Sequence, residues 1–189
     1  MTRLVYPAPR WRDMAGRWRT PQVTSGFHER RIVQGSQPRR YYYHSGSDVM
    51  YQARPGGDDP PWTGRYTRHR SRAFVCPAGL PALAVGPGVI DWMGDYIHTG
   101  LGVTLRLAAG GVWLYAHCDL ARRIVTVGQR VAAGEPVAVI SGSPPGGIVH
   151  LHCEDWIDGK PGHRVDPAVR LRGAVVVDLP AGWTPGWDE

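Results

Sequence analysis

Two histidines one residue apart are the first candidates for chemistry in this sequence. The segment IVHLHCED, at residues 148–155, places His150 and His152 on either side of a leucine. The surrounding apolar and β-branched residues favour a strand, in which residues two apart point to the same face. The two imidazoles are therefore expected side by side. Such a pair occurs in ordinary half-polar strands as well as in metal sites, and the rest of the sequence must distinguish the two.

A second cluster lies far upstream, in YYYHSGSDV, where His44 and Asp48 are four residues apart. Fully extended, this stretch would separate their Cα atoms by about 13 Å, too far to share one ion. Ser-Gly-Ser disfavours a helix, and we expect Gly46 to adopt dihedrals closed to other residues and fold the chain back. With His152, the set then suits catalytic zinc, with a fourth position left to water.

A further histidine completes the candidate set. His117 ends the apolar and aromatic segment LYAH, which is expected to be a strand near the same place. With His150 it brings the total to four histidines and one aspartate. Each motif alone is a weak signal, and the ordered combination is much stronger.

Composition predicts a mainly β, antiparallel protein. The 189 residues include 25 glycines and 17 prolines, which indicates many turns and short strands. We divide the chain into an Arg/Trp-rich arm (1–20), a catalytic domain (21–172) and a C-terminal strand with a tail (173–189). A loop insertion is expected at 52–74. Strands are expected at 22–27, 40–44, 80–85, 88–93, 102–107, 111–117, 135–140 and 147–156.

Charge and cysteine content narrow the class of protein. The net charge of +6 comes almost entirely from arginine, which fits an arginine-rich genome or attraction to a polyanion. No apolar run is long enough to span a membrane, and the start lacks the pattern of a secretory signal. Three cysteines without C-x-x-C spacing are expected to be reduced and mostly buried.

At this point the sequence resembles the lysostaphin-like (LytM-type) zinc endopeptidases, which cut peptidoglycan cross-bridges. HSGSD (44–48), YAHCD (115–119) and HLHCE (150–154) follow the order of that family's motifs. SGFHER (25–30), the glycine-rich segment at 125–142 and VDP (165–167) are also similar. The resemblance covers about residues 22–168.

The resemblance implies an antiparallel β core with loops forming a cleft over a zinc site. His44, Asp48 and His152 would bind Zn²⁺, while His117 and His150 would face the attacking water and the substrate carbonyl. The implied activity is hydrolysis of peptide bonds in peptidoglycan stem peptides or cross-bridges. We expect a monomer that acts at the bacterial cell wall and does not bind nucleic acid specifically. We expect it to reach the wall as a phage-encoded or virion-associated protein, or by another route than Sec export.

Several positions depart from the family pattern. His28 stands where the family usually has glycine, Cys153 where an aromatic is usual, and Ile148 and Val149 where "GP" is expected. None of these touches the five core residues, so they bear on the choice of substrate. Of the three tyrosines at 41–43, at least one is expected in the core.

Three other functions fit parts of the sequence. A non-catalytic wall-binding or activator module of the same fold would be expected to lack a metal ligand, and none is missing here. A biotinyl- or lipoyl-type carrier needs a lysine on a tight turn, and the single lysine, Lys160, lies outside the matching segment. Nucleic-acid binding rests on charge alone.

Overall fold

Among the residues that the structure describes, nearly all of the regular secondary structure is β-strand. The structure is a computed structural model that describes residues 3–13, 16–32, 38, 40–52, 66–68, 74–97, 100–141, 149–160 and 163–184. The strands are β1 (Trp11–Arg12), β2 (Trp18–Arg19), β3 (Pro21–Ser25), β4 (Arg30–Ile32), β5 (Tyr41–Tyr43), β6 (Ser47–Gln52), β7 (Tyr66–Arg68), β8 (Phe74–Pro77), β9 (Pro81–Leu83), β10 (Gly88–Asp95), β11 (Leu101–Leu107), β12 (Val112–Cys118), β13 (Arg130–Val131), β14 (Pro136–Val139), β15 (Leu151–Trp156) and β16 (Arg164–Val165). They confirm the predicted mainly antiparallel β class.

One large sheet dominates the molecule. Its order is β13-β10-β11-β12-β15-β6-β8-β7, with β3 added beside β6 and β16 beside β15. The pair β9–β14 forms a separate ribbon whose side chains are largely buried. The main core contains residues from both, for example Leu105 and Tyr115 of the sheet and Val137 of the ribbon. Since side chains alternate along a strand, the opposite sheet face carries Val112, Leu114, Ala116 and Trp156 as a second small cluster.

In the described part of the chain, one short helix, α1 (Pro167–Arg170), follows β16. Asp166 caps it, since its carboxylate accepts a hydrogen bond from the backbone N–H of Ala168 at 2.9 Å. Proline at the first helical position needs no hydrogen-bond partner for its nitrogen. The aspartate and proline of the VDP motif therefore begin this helix. Within the described residues, no helix has the length and apolar character needed to cross a membrane.

The predicted loop insertion at 52–74 contains a strand. Tyr66–Arg68 is strand β7 and pairs with β8, which begins at Phe74. The segments 53–65 and 69–73 lie outside the described residues.

The two ends of the described chain lie against each other. Val5 bridges Val175 and Arg10 bridges Asp178, both in parallel orientation. These isolated bridges stand where a C-terminal strand was predicted. Val5, Ala8 and Trp11 are buried, so the N-terminal segment contributes to the same packing as the large sheet. The domain boundaries themselves stay a prediction.

The cysteines match their prediction. Cys76, Cys118 and Cys153 are all free and buried. Burial raises the pKa of each thiol, because a thiolate is disfavoured in an apolar interior.

Candidate metal centre

Three of the predicted residues meet at the junction of β6 and β15. Asp48 lies directly opposite His152 in the antiparallel register, and opposite residues of such a pair share one face. His44 precedes a bend at 45–46 that leads into β6. His44 Nε2 lies 3.1 Å from Asp48 Oδ1, His152 Nδ1 lies 3.2 Å from the same oxygen, and the two nitrogens are 3.0 Å apart.

Gly46 allows the bend for a different reason from the one expected. Its φ lies outside the left-handed region, so its conformational freedom is not what the turn uses. The backbone instead passes so close to β15 that a Cβ at this position would lie 2.0 Å from the carbonyl oxygen of Cys153 and 2.9 Å from His152 Nε2. A glycine is required here because no side chain fits.

Each of the three donors has its other polar atom held by a neighbour. His44 Nδ1 lies 3.0 Å from the carbonyl oxygen of Gly26, and His152 Nε2 lies 3.3 Å from Glu154 Oε1. Asp48 Oδ2 accepts a hydrogen bond from Arg31 Nη2 at 2.5 Å. The atoms left over are the three that face one another.

Metal binding would require one particular tautomer of His44. Arg31 Nη2 also lies 3.2 Å from His44 Nδ1, but a guanidinium can only donate. A hydrogen bond there would need a bare Nδ1, whereas the Gly26 carbonyl needs an Nδ1–H. Only the tautomer that donates to Gly26 leaves the lone pair of Nε2 free to point at Asp48 and His152.

Glu154 holds the His152 ring through Nε2, the ring nitrogen that does not face Asp48. Its side chain is fully buried and accepts hydrogen bonds from Tyr96 Oη at 2.8 Å, Trp156 Nε1 at 2.7 Å and Arg164 Nε at 2.6 Å. Burial alone would raise the pKa of Glu154, but hydrogen bonds from His152, Ser45, Arg164 and Trp156 outweigh it and lower the pKa to about 2. The carboxylate therefore stays ionised and favours an Nε2–H on His152.

The donor cluster carries a negative charge in a buried place. Asp48 is 6% exposed, and burial opposes its ionisation, yet hydrogen bonds with His152 and His44 hold its pKa well below the usual value. The pKa of His152 is raised, because hydrogen bonds to Asp48 and Glu154 outweigh the effect of burial. A cation that enters here would replace protons shared within this cluster.

The geometry fits a tetrahedral zinc ion. Ligand atoms at the corners of a tetrahedron with bonds of about 2.0–2.1 Å lie about 3.3–3.4 Å apart. The three facing atoms, at 3.0–3.2 Å, need to separate by only a few tenths of an ångström. Two imidazoles and one carboxylate, each with its second polar atom held, are a donor set that zinc accepts with one position open.

His117 reaches the same place through an irregularity in β12. Leu101 faces Cys118 and Val103 faces Tyr115, so β12 has one residue more than β11 between these pairs. His117 lies in this β-bulge with φ 62°, a left-handed conformation uncommon for residues other than glycine. The bulge turns its ring to within 4.7 Å of the His150 ring and 5.4 Å of the His152 ring, centroid to centroid.

His150 lies beside the three facing donors. Its Nε2 is 3.4 Å from Asp48 Oδ1, and its side chain is 12% exposed. All five residues singled out in the sequence are thus brought together, with His117 and His150 on the less buried side.

Some residues differ from expectation. Tyr41, Tyr42 and Tyr43 are all exposed, so none of them is in the core; in the described part of the chain, β5 pairs only with β4. His28 has φ 59°, which explains why glycine is usual at its position in the resembling family. Of the other histidines, His69 and His98 lie outside the described residues, and His163 is exposed and hydrogen-bonds Asp158.

Arg31 and Tyr96 were not identified from the sequence. Neither lies in one of the three motifs, and both reach the site through strand pairing distant from it. The only available signal was the acidic residue after H-x-H, since a buried carboxylate requires donors.

Comparisons with known proteins agree with the motifs. The family model described as "Peptidase family M23" matches residues 67–167, more than half of the chain. This range contains His117, His150 and His152 and begins after His44 and Asp48. The chain is 32% identical over 99 residues to the peptidoglycan DD-endopeptidase ShyC of Vibrio cholerae, a match that covers 52% of this chain and only 22% of ShyC.

Solved structures share the fold. A zinc-containing peptidase from Vibrio cholerae aligns with a TM-score of 0.55 at 22% identity, over 87% of this chain and 39% of that one. The catalytic domain of lysostaphin from Staphylococcus simulans aligns with a TM-score of 0.52 at 19% identity, over 80% of this chain and 92% of that one. These findings confirm the resemblance seen in the sequence: the chain belongs to peptidase family M23, with a LytM-type fold.

Proposed function

We propose that this protein is a zinc-dependent endopeptidase that hydrolyses peptide bonds in bacterial peptidoglycan. The observation that carries the proposal is the set of three buried donors, His44 Nε2, Asp48 Oδ1 and His152 Nδ1, each aimed inward because its other polar atom is already engaged. Family membership and the peptidoglycan endopeptidase relative supply the class of substrate. The protein would act as a monomer at the cell wall.

His44, Asp48 and His152 would hold the ion. Bound zinc supplies Lewis acidity, which lowers the pKa of water and polarises a carbonyl. The Gly26 carbonyl and Glu154 fix the ring orientations of the two histidines, so that no reorganisation is needed when substrate arrives.

His117 and His150 carry out the proton transfers. Their rings lie 4.7 Å apart on the less buried side of the site, where a peptide carbonyl would enter. One neutral imidazole accepts the proton of the attacking water and passes it to the leaving amine. The other donates a hydrogen bond to the oxygen of the scissile carbonyl as negative charge develops there.

The test uses purified peptidoglycan of two kinds, directly cross-linked and glycine-bridged. Protein supplied with Zn²⁺ is incubated with each, and the released fragments are identified by mass spectrometry. New peptide termini that require zinc and disappear in a His117→Ala variant are the expected result. Stoichiometric zinc binding without any new termini in either wall type would instead indicate a wall-binding or activator module of the same fold.

A further inference from the structure

The two oxygens of Asp48 have separate partners. Oδ1 faces the nitrogens of His44 and His152 at 3.1 and 3.2 Å. Oδ2 accepts the hydrogen bond from Arg31 Nη2 at 2.5 Å. The Arg31 side chain is 27% exposed, whereas that of Asp48 is 9% exposed, so the ion pair is partly shielded from water. One oxygen is therefore directed into the cluster while the other is held outside it.

Arg31 is placed by the same ribbon that places His44. Arg31 lies on β4 opposite Tyr42 of β5, and β5 leads directly into His44. Its neighbour Arg30 points the other way, with its guanidinium 4.0 Å from the centre of the Tyr41 ring. Alternation along β4 thus gives two adjacent arginines different surroundings, one at the metal centre and one on an exposed aromatic side chain.

We propose that Arg31 is a positioning residue of the metal centre that makes Asp48 a one-oxygen ligand. This inference rests on the proposed zinc site. Carboxylates bind cations through one oxygen or through both. A guanidinium hydrogen bond on Oδ2 prevents this second oxygen from binding the ion and keeps a coordination position open for water or substrate. Its positive charge also reduces the negative charge that Asp48 gives to the ion, which preserves the ion's Lewis acidity.

Three variants separate this role from general stabilisation. Arg31→Gln removes the charge and frees Oδ2. Arg31→Lys keeps a positive charge that can still engage Oδ2. Arg30→Gln is the matched control, because it removes an arginine from the adjacent position of the same strand without touching Asp48.

The experiment replaces zinc by Co²⁺, whose visible absorption is intense in four-coordinate sites and weak in five- and six-coordinate ones. Each full-length variant is saturated with Co²⁺, and the coordination number is checked by X-ray absorption on the zinc form. We expect wild type and Arg30→Gln to give the same four-coordinate spectrum. Arg31→Gln should lose at least half of the visible intensity and gain one ligand atom, while Arg31→Lys should retain most of the wild-type intensity.

The outcomes distinguish this inference from the proposed function. An Arg31→Gln spectrum identical to that of wild type overturns the role of Arg31 and leaves the zinc site intact. Failure of the wild-type protein to bind either metal overturns both. If circular dichroism shows that Arg31→Gln does not fold, the test rests on Arg31→Lys. A Co²⁺ spectrum of Arg31→Lys as weak as that of a five-coordinate site would then overturn the role of Arg31, because a positive charge at this position would not set the coordination number.

Discussion

Two histidine rings whose centroids lie 5.4 Å apart should respond differently to removal. His152→Ala deletes a proposed ligand, so bound zinc and hydrolysis should be lost together. His117→Ala leaves all three donors in place, so zinc should be retained while turnover falls by about 10²–10⁴-fold, the usual contribution of a positioned acid or base. Elemental analysis and the rate of fragment release measure the two effects.

The control for this pair is His163→Ala, because the His163 side chain is exposed and hydrogen-bonds Asp158 in a turn outside the metal centre. Its zinc content and rate should match those of wild type. Equal zinc loss in the His117 and His152 variants would contradict the assignment of roles.

Glu154 should affect the metal without touching it. Its Oε1 lies 3.3 Å from His152 Nε2, and such partners of a metal-binding histidine typically change metal affinity by about 10–100-fold. Glu154→Gln removes the charge that favours the Nε2–H form, so zinc affinity should fall by about that factor. Competition with a chelator of known affinity measures it.

Asp158→Asn serves as the comparison, since it also neutralises a carboxylate but lies in an exposed turn. Its zinc affinity should be unchanged. A Glu154→Gln variant that binds zinc as tightly as wild type would show that the His152 ring is oriented by packing alone.

At the scale of elements, the turn before β6 depends on the absence of a side chain at Gly46. Gly46→Ala would place a Cβ 2.0 Å from the carbonyl oxygen of Cys153, and neither a Cβ nor a backbone carbonyl can rotate away from such a contact. We expect a loss of stability of roughly 1–3 kcal/mol or more from overpacking, together with weaker zinc binding because His44 and Asp48 flank the displaced turn. Thermal unfolding and zinc titration test both parts.

Gly26→Ala is the matched substitution, because a Cβ there meets nothing within 4 Å and its φ lies outside the left-handed region. It should unfold near the wild-type temperature. If the two variants are equally stable, the close approach of the turn to β15 is not what requires glycine.

The sequence predicted the longer elements better than the short ones. β10, β11, β12 and β15 lie within a few residues of their predicted positions, because alternating apolar residues and a clear turn mark them. β1, β2 and β13 have two residues each, too few to show a period. The bulge at His117 carries no sequence signal, since the pattern of β12 continues through it, and the approach of Arg31 depends on the pairing of β4 with β5.

The site could be predicted further than the fold around it. His44 and Asp48 are separated from His152 by more than 100 residues, and they were linked by their chemistry as zinc ligands and by the resemblance to a known family. The supporting contacts of Tyr96 and Arg164 with Glu154 require the order of strands in the sheet, which no local pattern contains.

At the scale of the whole molecule, the N-terminal segment is part of the packing. Trp11 is 1% exposed and lies edge-on to Tyr51, with ring centroids 5.7 Å apart. Trp11→Ala should cost about 3–5 kcal/mol, as large-to-small changes of buried aromatics do. Urea unfolding measures the change in the free energy of unfolding.

Trp18 provides the contrast within the same β1–β2 hairpin. It is 41% exposed, with the guanidinium groups of Arg10 and Arg12 4.4 Å from its ring centre. Its replacement by alanine should cost about 1 kcal/mol or less. Similar costs for the two variants would show that the N-terminal segment does not belong to the cooperative unit.

The pairing of Asp48 with His152 across β6 and β15 also bears on how the chain finds its native state. A slip of one residue between these strands would turn Asp48 to the opposite face and scatter the three donors. Binding of the ion would therefore stabilise only the correct alignment of the two strands. A bound cation would in this way favour the native register, and a misaligned chain would be both metal-free and less stable.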